Sequence, residues 1–305
     1  MRIRRIITVM LVLLSVSKLT AQQDAQYTQY MYNQAVLNPA YAGSKGHLAM
    51  GALGRTQWVG IKGAPQTLTL FMHGPIGEKL GVGGTLISDK IGPITETNFY
   101  GDFSYTLDVS AEGRLALGIK AGLTLHNIDS NLSTVSPDPA LIAALSQGNQ
   151  LLPNFGAGAF YYTDRFYLGL SMPNFLQTRY YERTGTLITN ASEKMHLFGT
   201  TGYVFDLTDN IKLKPSLMLK GAIGAPLSID LSANALFSDR FELGLSYRLD
   251  DSISAILGLN VNSEFRIGYA YDYTLSKLGD FNSGSHEIML TYEFLRKELK
   301  SPRFF

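Results

Sequence analysis

From Arg114 to Asn127 every second residue is apolar. Leu115, Leu117, Ile119, Ala121, Leu123 and Leu125 share one side of an extended chain, and Arg114, Ala116, Gly118, Lys120, Gly122, Thr124 and His126 share the other. A period of two marks a β-strand with unlike faces, because successive Cβ atoms point to opposite sides of the pleat. The split returns over Glu96 to Leu107, where Phe99, Phe103, Tyr105 and Leu107 oppose Glu96, Asn98, Tyr100, Asp102 and Ser104. It returns three times near the end. Leu227, Ile229, Leu231 and Phe237 oppose Ser228, Asp230, Ser232 and Asn234; Phe241, Leu243, Leu245 and Tyr247 oppose Arg240, Glu242, Ser246 and Arg248; Phe265, Ile267, Tyr269, Tyr271 and Tyr273 oppose Glu264, Arg266 and Asp272. The apolar sides carry no charge. Applied to the weaker segments, the same rule predicts about 14 strands between His47 and Phe294, most of them roughly 10 to 13 residues long, enough to cross hydrocarbon at a tilt. The fold expected is all-β, a transmembrane antiparallel β-barrel. Two segments fit less well: Asn154 to Tyr162 is apolar on both sides, and Pro215 interrupts a strand.

The predicted links alternate in length, as in membrane barrels with short turns on one rim and longer loops on the other. Gly77-Glu78-Lys79, Val109 to Gly113, Asp164-Arg165, Thr208-Asp209-Asn210, Ser238-Asp239 and Asn262-Ser263 are short and rich in turn-forming residues. Val59 to Ala64, Asp89 to Pro93, Ile128 to Leu152, Asn174 to Glu193, Gly221 to Ala225 and Leu275 to Ser283 are longer, while Asp250-Asp251 is short where a long link is due. An even strand count returns both ends of the chain to the rim with short turns, which places the termini in the periplasm of a Gram-negative cell. With 17 Tyr and 16 Phe, clusters such as Phe160-Tyr161-Tyr162, Phe166-Tyr167 and Tyr269, Tyr271, Tyr273 are expected in the aromatic girdles at the lipid boundary.

Arg2, Arg4 and Arg5 precede an apolar run, Ile6 to Val16, and Thr20-Ala21 then precedes polar sequence. This is the pattern of a secretory signal peptide cut near Ala21. Four regions follow: a signal peptide over 1–21, an amino-terminal segment over 22–46, the barrel over 47–295 and a basic periplasmic tail over 296–305, carrying Arg296, Lys297, Lys300 and Arg303. No other run is long and apolar enough for a membrane helix. A net charge of +1 with no long basic block leaves no footprint for nucleic acid, and an exported chain with no cysteine has no disulfide framework.

Candidate chemistry is sparse. His47, His73, His126, His196 and His286 fall on different strands without metal-ligand spacing, and His286-Glu287 lacks the second histidine of a zinc-protease helix. Gly169-Leu170-Ser171-Met172-Pro173 lacks the second glycine of a nucleophile elbow, and Gly81-Val82-Gly83-Gly84 lies inside a strand. The expectation is no catalytic site, no cofactor and no metal, although a lipid-modifying site spread over separate strands stays open. The inward charges are mixed, with Arg114, Lys120, Arg248 and Arg266 against Glu96, Asp102, Asp230, Glu242 and Asp272. They either pair across the lumen and hold a plug, or line a transport path.

Asp24 to Ser44 precedes the first strand and is rich in Gln, Asn and Tyr. If its first part is helical, Tyr27, Tyr30, Met31 and Gln34 share one face, and Asn38-Pro39 then breaks the helix. Tyr27, Tyr30, Tyr32, Asn38, Pro39 and Tyr41 are the candidate site residues, either as a plug in the barrel mouth or as a partner contact. Here the sequence resembles the PorP/SprF family of type IX secretion system outer-membrane proteins, through its Gln-Tyr and Tyr-Asn pairs and Asn38-Pro39-Ala40-Tyr41-Ala42-Gly43. The likeness continues through Arg55-Thr56-Gln57-Trp58-Val59-Gly60, Gly63-Ala64-Pro65, Asp89 to Pro93, Pro153 to Gly156, Tyr167 to Pro173, Leu213 to Ser216, Tyr269 to Tyr273 and Gly284 to Leu290.

The resemblance implies a non-enzymatic barrel that helps export or anchor large surface proteins such as gliding adhesins. It also implies the partners: outer-membrane lipid, the type IX secretion machinery with its periplasmic components, and the carboxy-terminal regions of secreted adhesins. The alternative is an outer-membrane channel or substrate-specific transporter.

Overall fold

A computed structural model describes residues 26–127, 151–176, 195–222 and 225–294, and the backbone alone of 128, 150, 179–184 and 187–192. The expected signal peptide, most of the Ile128 to Leu152 link and the expected basic tail lie outside the described residues. The strands, numbered in chain order, are β1 Leu48–Thr56, β2 Gln66–Ile76, β3 Leu80–Ile91, β4 Ile94–Asp108, β5 Arg114–Ile128, β6 Gln150–Tyr162, β7 Phe166–Met172, β8 Arg179–Thr184, β9 Leu187–Ser192, β10 His196–Tyr203, β11 Phe205–Thr208, β12 Ile211–Ala222, β13 Ser228–Phe237, β14 Phe241–Arg248, β15 Ser252–Asn260, β16 Phe265–Thr274 and β17 Ser285–Phe294. Antiparallel ladders join β1 through β7 in order, then β10, then β12 through β17, and β17 pairs back onto β1. The result is a closed 14-stranded barrel with one extra short strand, β11. Closure leaves no free sheet edge around the wall, so apart from a local break between β10 and β11 the ladders run continuously from strand to strand.

The alternation places its two faces as expected, and the burial is the reverse of that in a water-soluble protein. Ile119 is 63% exposed and Leu245 67% exposed, with Leu243, Leu231, Leu257 and Phe103 also facing outward. Asp102, Lys120, Thr124, Asp230, Glu242 and Asp272 are buried on the inner side. An apolar belt around a polar interior is stable only where the surroundings are hydrocarbon.

Several details differ from expectation. β3 and β4 pair up to Ile91 and Ile94, so the link between them is Gly92-Pro93 rather than Asp89 to Pro93. Gly92, at φ +57°, takes the left-handed conformation such a tight turn needs. The Asn174 to Glu193 link contains a hairpin of its own, β8 with β9. The lengths of the fourteen wall strands spread more widely than predicted, from seven residues in β7 to fifteen in β4 and β5. β7 stops before Pro173, which has no N–H to continue the ladder.

Phe160, Tyr162 and Tyr167, expected in a lipid-facing girdle, are instead buried in the interior. Their positions in the alternation point inward, and the interior there is apolar. That also explains why β6 is apolar on both faces. Pro215 is accommodated because β12 pairs β10 from Ser216 onward and β11 from Leu213 backward, so Lys214 and Pro215 face the break between the two. Val204, in that break, donates its N–H to the Arg165 carbonyl at 2.8 Å.

Candidate functional site

The barrel interior is occupied by the chain's own residues 26–46. The first part is not one continuous helix; it is built from a 3-10 turn at Tyr30–Tyr32, one α-turn at Gln34–Leu37 and a second 3-10 turn at Pro39–Tyr41. A helix with one apolar face suits a flat surface, whereas this segment is surrounded. It bonds to inward side chains on β2, β5, β7, β13 and β16, which lie all around the wall. Only a position inside a closed barrel permits that. Met31 and Ala40 have no exposure and Tyr30 1%, so the molecule's core is the packing between this segment and the wall.

All six residues singled out from the sequence contact the wall. The Tyr27 hydroxyl meets Thr69 Oγ1 at 2.9 Å, and Ser232 Oγ donates to the Tyr30 hydroxyl at 3.4 Å. Tyr32 donates to Glu242 Oε1 at 2.5 Å, and its ring lies between the Lys214 ammonium at 4.0 Å and the Arg266 guanidinium at 3.8 Å. Two cations on a desolvated ring are worth on the order of 2 kcal/mol each. Asn38 caps the second 3-10 turn by accepting the Ala40 N–H at 3.0 Å, and it donates to the Ala159 carbonyl at 3.0 Å. The Tyr41 ring sits edge-on against Phe160 and His73, with centroids 5.1 Å and 5.2 Å away.

Pro39 and Ala40 enter a notch made by Gly118 and Gly158, cross-strand partners on β5 and β6. A Cβ at Gly118 would stand 2.3 Å from Ala40 N, and one at Gly158 2.1 Å from Asn38 Oδ1. No other residue leaves room for the Ala40 backbone at Gly118 and the Asn38 amide at Gly158 to approach this closely.

The mixed inward charges form pairs. Lys120 lies 3.5 Å from Asp102 and donates to the Val36 carbonyl at 3.1 Å. Arg248 joins Asp230 at 2.6 Å and donates to Gln26 Oε1 at 3.0 Å, and Arg266 joins Glu242 at 2.6 Å. Arg114 is the exception: it sits half in solvent at a strand end, with Asp108. The largest cluster was not legible beforehand. Arg55 reaches Asp272 at 2.7 Å and Glu287 at 3.2 Å, and it also donates to Thr28 Oγ1 at 2.9 Å. Glu287 accepts the N–H groups of Thr28 and Gln29, and Thr28 Oγ1 donates to Asp272. Glu287 could have been assigned inward, since Ile288 and Leu290 fix the outward side of β17. Arg55 is hidden by the small residues of β1. At the opposite rim Lys45 and His47 both engage Glu293.

These contacts give the segment a direction. Arg248, Asp230, Arg55 and Glu287 stand at the rim of long links, and Glu293 stands at the rim of short turns. β1 starts and β17 ends at the short-turn rim, as an even strand count requires. Gln26, however, lies at the long-link rim, so the segment descends through the whole lumen before β1 begins. β1 and β17 thus share the short-turn rim, whereas Gln26, the first described residue, lies at the other; the chain ends themselves fall outside the described residues.

Among solved structures the chain is similar in fold to the Ralstonia pickettii toluene transporter TbuX (10% identity, 84% of this chain and 91% of that one, TM-score 0.48). It is also similar to the Acinetobacter baumannii outer membrane protein Omp33 (7% identity, 82% and 100%, TM-score 0.48) and to the P. putida toluene transporter TodX (10% identity, 87% and 94%, TM-score 0.47). No curated protein matches it in sequence. The family model described as type IX secretion system membrane protein PorP/SprF matches residues 19–292, and with that match spanning nearly the whole barrel and its luminal segment, the chain belongs to the PorP/SprF family.

Proposed function

We propose that this chain is a closed accessory barrel of the type IX secretion system, neither an enzyme nor an open pore, that helps export or anchor large surface proteins such as gliding adhesins. The observation that carries this reading is the lumen filled by residues 26–46, whose inward charges are paired with one another and with the segment itself. A path for small solutes would need those groups free, and preferably of one sign. With the interior occupied, the rims remain as working surfaces. The long-link rim faces the cell exterior, where it meets the carboxy-terminal regions of secreted adhesins. The short-turn rim faces the periplasm and the secretion machinery. Residues 1–21 are removed as a signal peptide, residues 22–46 act as the plug, and Tyr27, Tyr30, Tyr32, Asn38, Pro39 and Tyr41 anchor it.

The test is deletion of the gene in its own host. Specific adhesins should be lost from the cell surface while uptake of small solutes stays unchanged, and detergent extracts of the intact protein should co-purify secretion components or an adhesin. Altered solute uptake with normal adhesin display would replace this reading with the channel.

A further inference from the structure

Above the apolar belt, five outward-facing residues on adjacent strands form one polar row: Thr56, Gln66, Lys90, Thr95 and Asn127. Each is the cross-strand partner of the next, from β1 to β5. At a strand spacing of about 4.8 Å the row is roughly 19 Å wide. The 57–65 link overhangs it and is tied to the β3–β4 turn by the Gly92 N–H donating to the Gly63 carbonyl at 2.9 Å. Row and overhang enclose a cleft of about 980 Å³ that also receives Trp58 and Lys62. Its lining contains two lysines and no carboxylate, and among the described residues neither Lys62 nor Lys90 makes an ion pair. Two rows below, on the same strands, Leu70, Phe99 and Leu123 are exposed.

We infer that this cleft binds the phosphorylated head group of an outer-leaflet glycolipid, with Lys62 and Lys90 on the phosphate and the acyl chains along Leu70, Phe99 and Leu123. Two observations select a lipid over a soluble anion. The cleft opens on the outer, lipid-facing side of the wall, and it continues directly into the belt. Trp58, half-buried at its edge, sits where an indole is satisfied by both apolar and polar neighbours. The inference rests on the outward placement of the long-link rim but not on what the barrel helps to export.

The test uses the full-length mature protein in detergent, with bisphosphorylated lipid A, its dephosphorylated form and inorganic phosphate as probes, and bound lipid read by native mass spectrometry. The intact protein should retain lipid A and discriminate against the dephosphorylated form. Lys62→Gln with Lys90→Gln should weaken retention by roughly tenfold to thirtyfold, the scale of two lysines at an anionic surface. Lys79→Gln, at the opposite rim, should leave it unchanged. Unaltered heat-modifiable mobility shows that each variant is folded. Equal retention by the double variant, or equal binding of the dephosphorylated lipid, overturns the proposal. Displacement of the lipid by millimolar inorganic phosphate also overturns it, leaving a free-anion site.

Discussion

Leu245→Arg is expected to weaken the folded barrel by about 2–4 kcal/mol in lipid vesicles, measured by reversible urea unfolding. Leu245 is 67% exposed at the middle of β14, flanked on the outer face by Leu243 and Tyr247 and paired with Ala233 and Ala255. In water an arginine at such an exposed site would change stability by no more than about 0.5 kcal/mol. The sign and size of the effect therefore report which solvent touches the residue. Depth supplies the internal control. Leu107, outward but one residue from the end of β4, should tolerate the same change at a cost of about 0–1 kcal/mol. Equal and small effects at both positions would mean that the belt does not face hydrocarbon.

Arg55→Leu should cost about 3–5 kcal/mol and loosen the luminal segment. Arg55 is 3% exposed and is the guanidinium shared by Asp272 and Glu287, both of them buried. Removing it strands two carboxylates, and an uncompensated buried charge is far more costly than the pair was worth. Loss of the hydrogen bond to Thr28 frees the upper part of the segment as well. If stranded charge is the cause, the triple variant Arg55→Leu, Asp272→Asn, Glu287→Gln should be more stable than Arg55→Leu alone, and unfolding of the set reads that coupling directly. A triple variant no better than the single one would place the effect in lost packing around the guanidinium.

The barrel itself was legible because alternation is a local signal that closure leaves intact. The outward Leu115, Leu117, Ile119 and inward Lys120, Thr124 of β5 could be assigned before any partner strand was known. What escaped depends on the interior. Phe160, Tyr162 and Tyr167 look like girdle aromatics until the lumen is known to hold an apolar segment with Tyr41 in it. Asp89 to Pro93 has loop composition, yet Gly92-Pro93 suffices to turn the chain and the ladder runs through to Ile91.

The six segment residues stand close together in the chain, and the structure places all of them against the inner wall. Their contacts, however, come from strands as much as 210 residues away in sequence, as with Tyr32 and Glu242, and no spacing encodes that. The same holds for the segment's course. Counting strands locates β1 and β17 but says nothing of a chain that first passes through the barrel.

Single-channel recording in planar bilayers tests the filled lumen most directly. The intact mature protein should insert without steady conductance. Gly158→Leu, which drives a side chain into the space held by Asn38, should produce open events by displacing the segment. Steady conductance from the intact protein, unchanged by Gly158→Leu, would contradict the account.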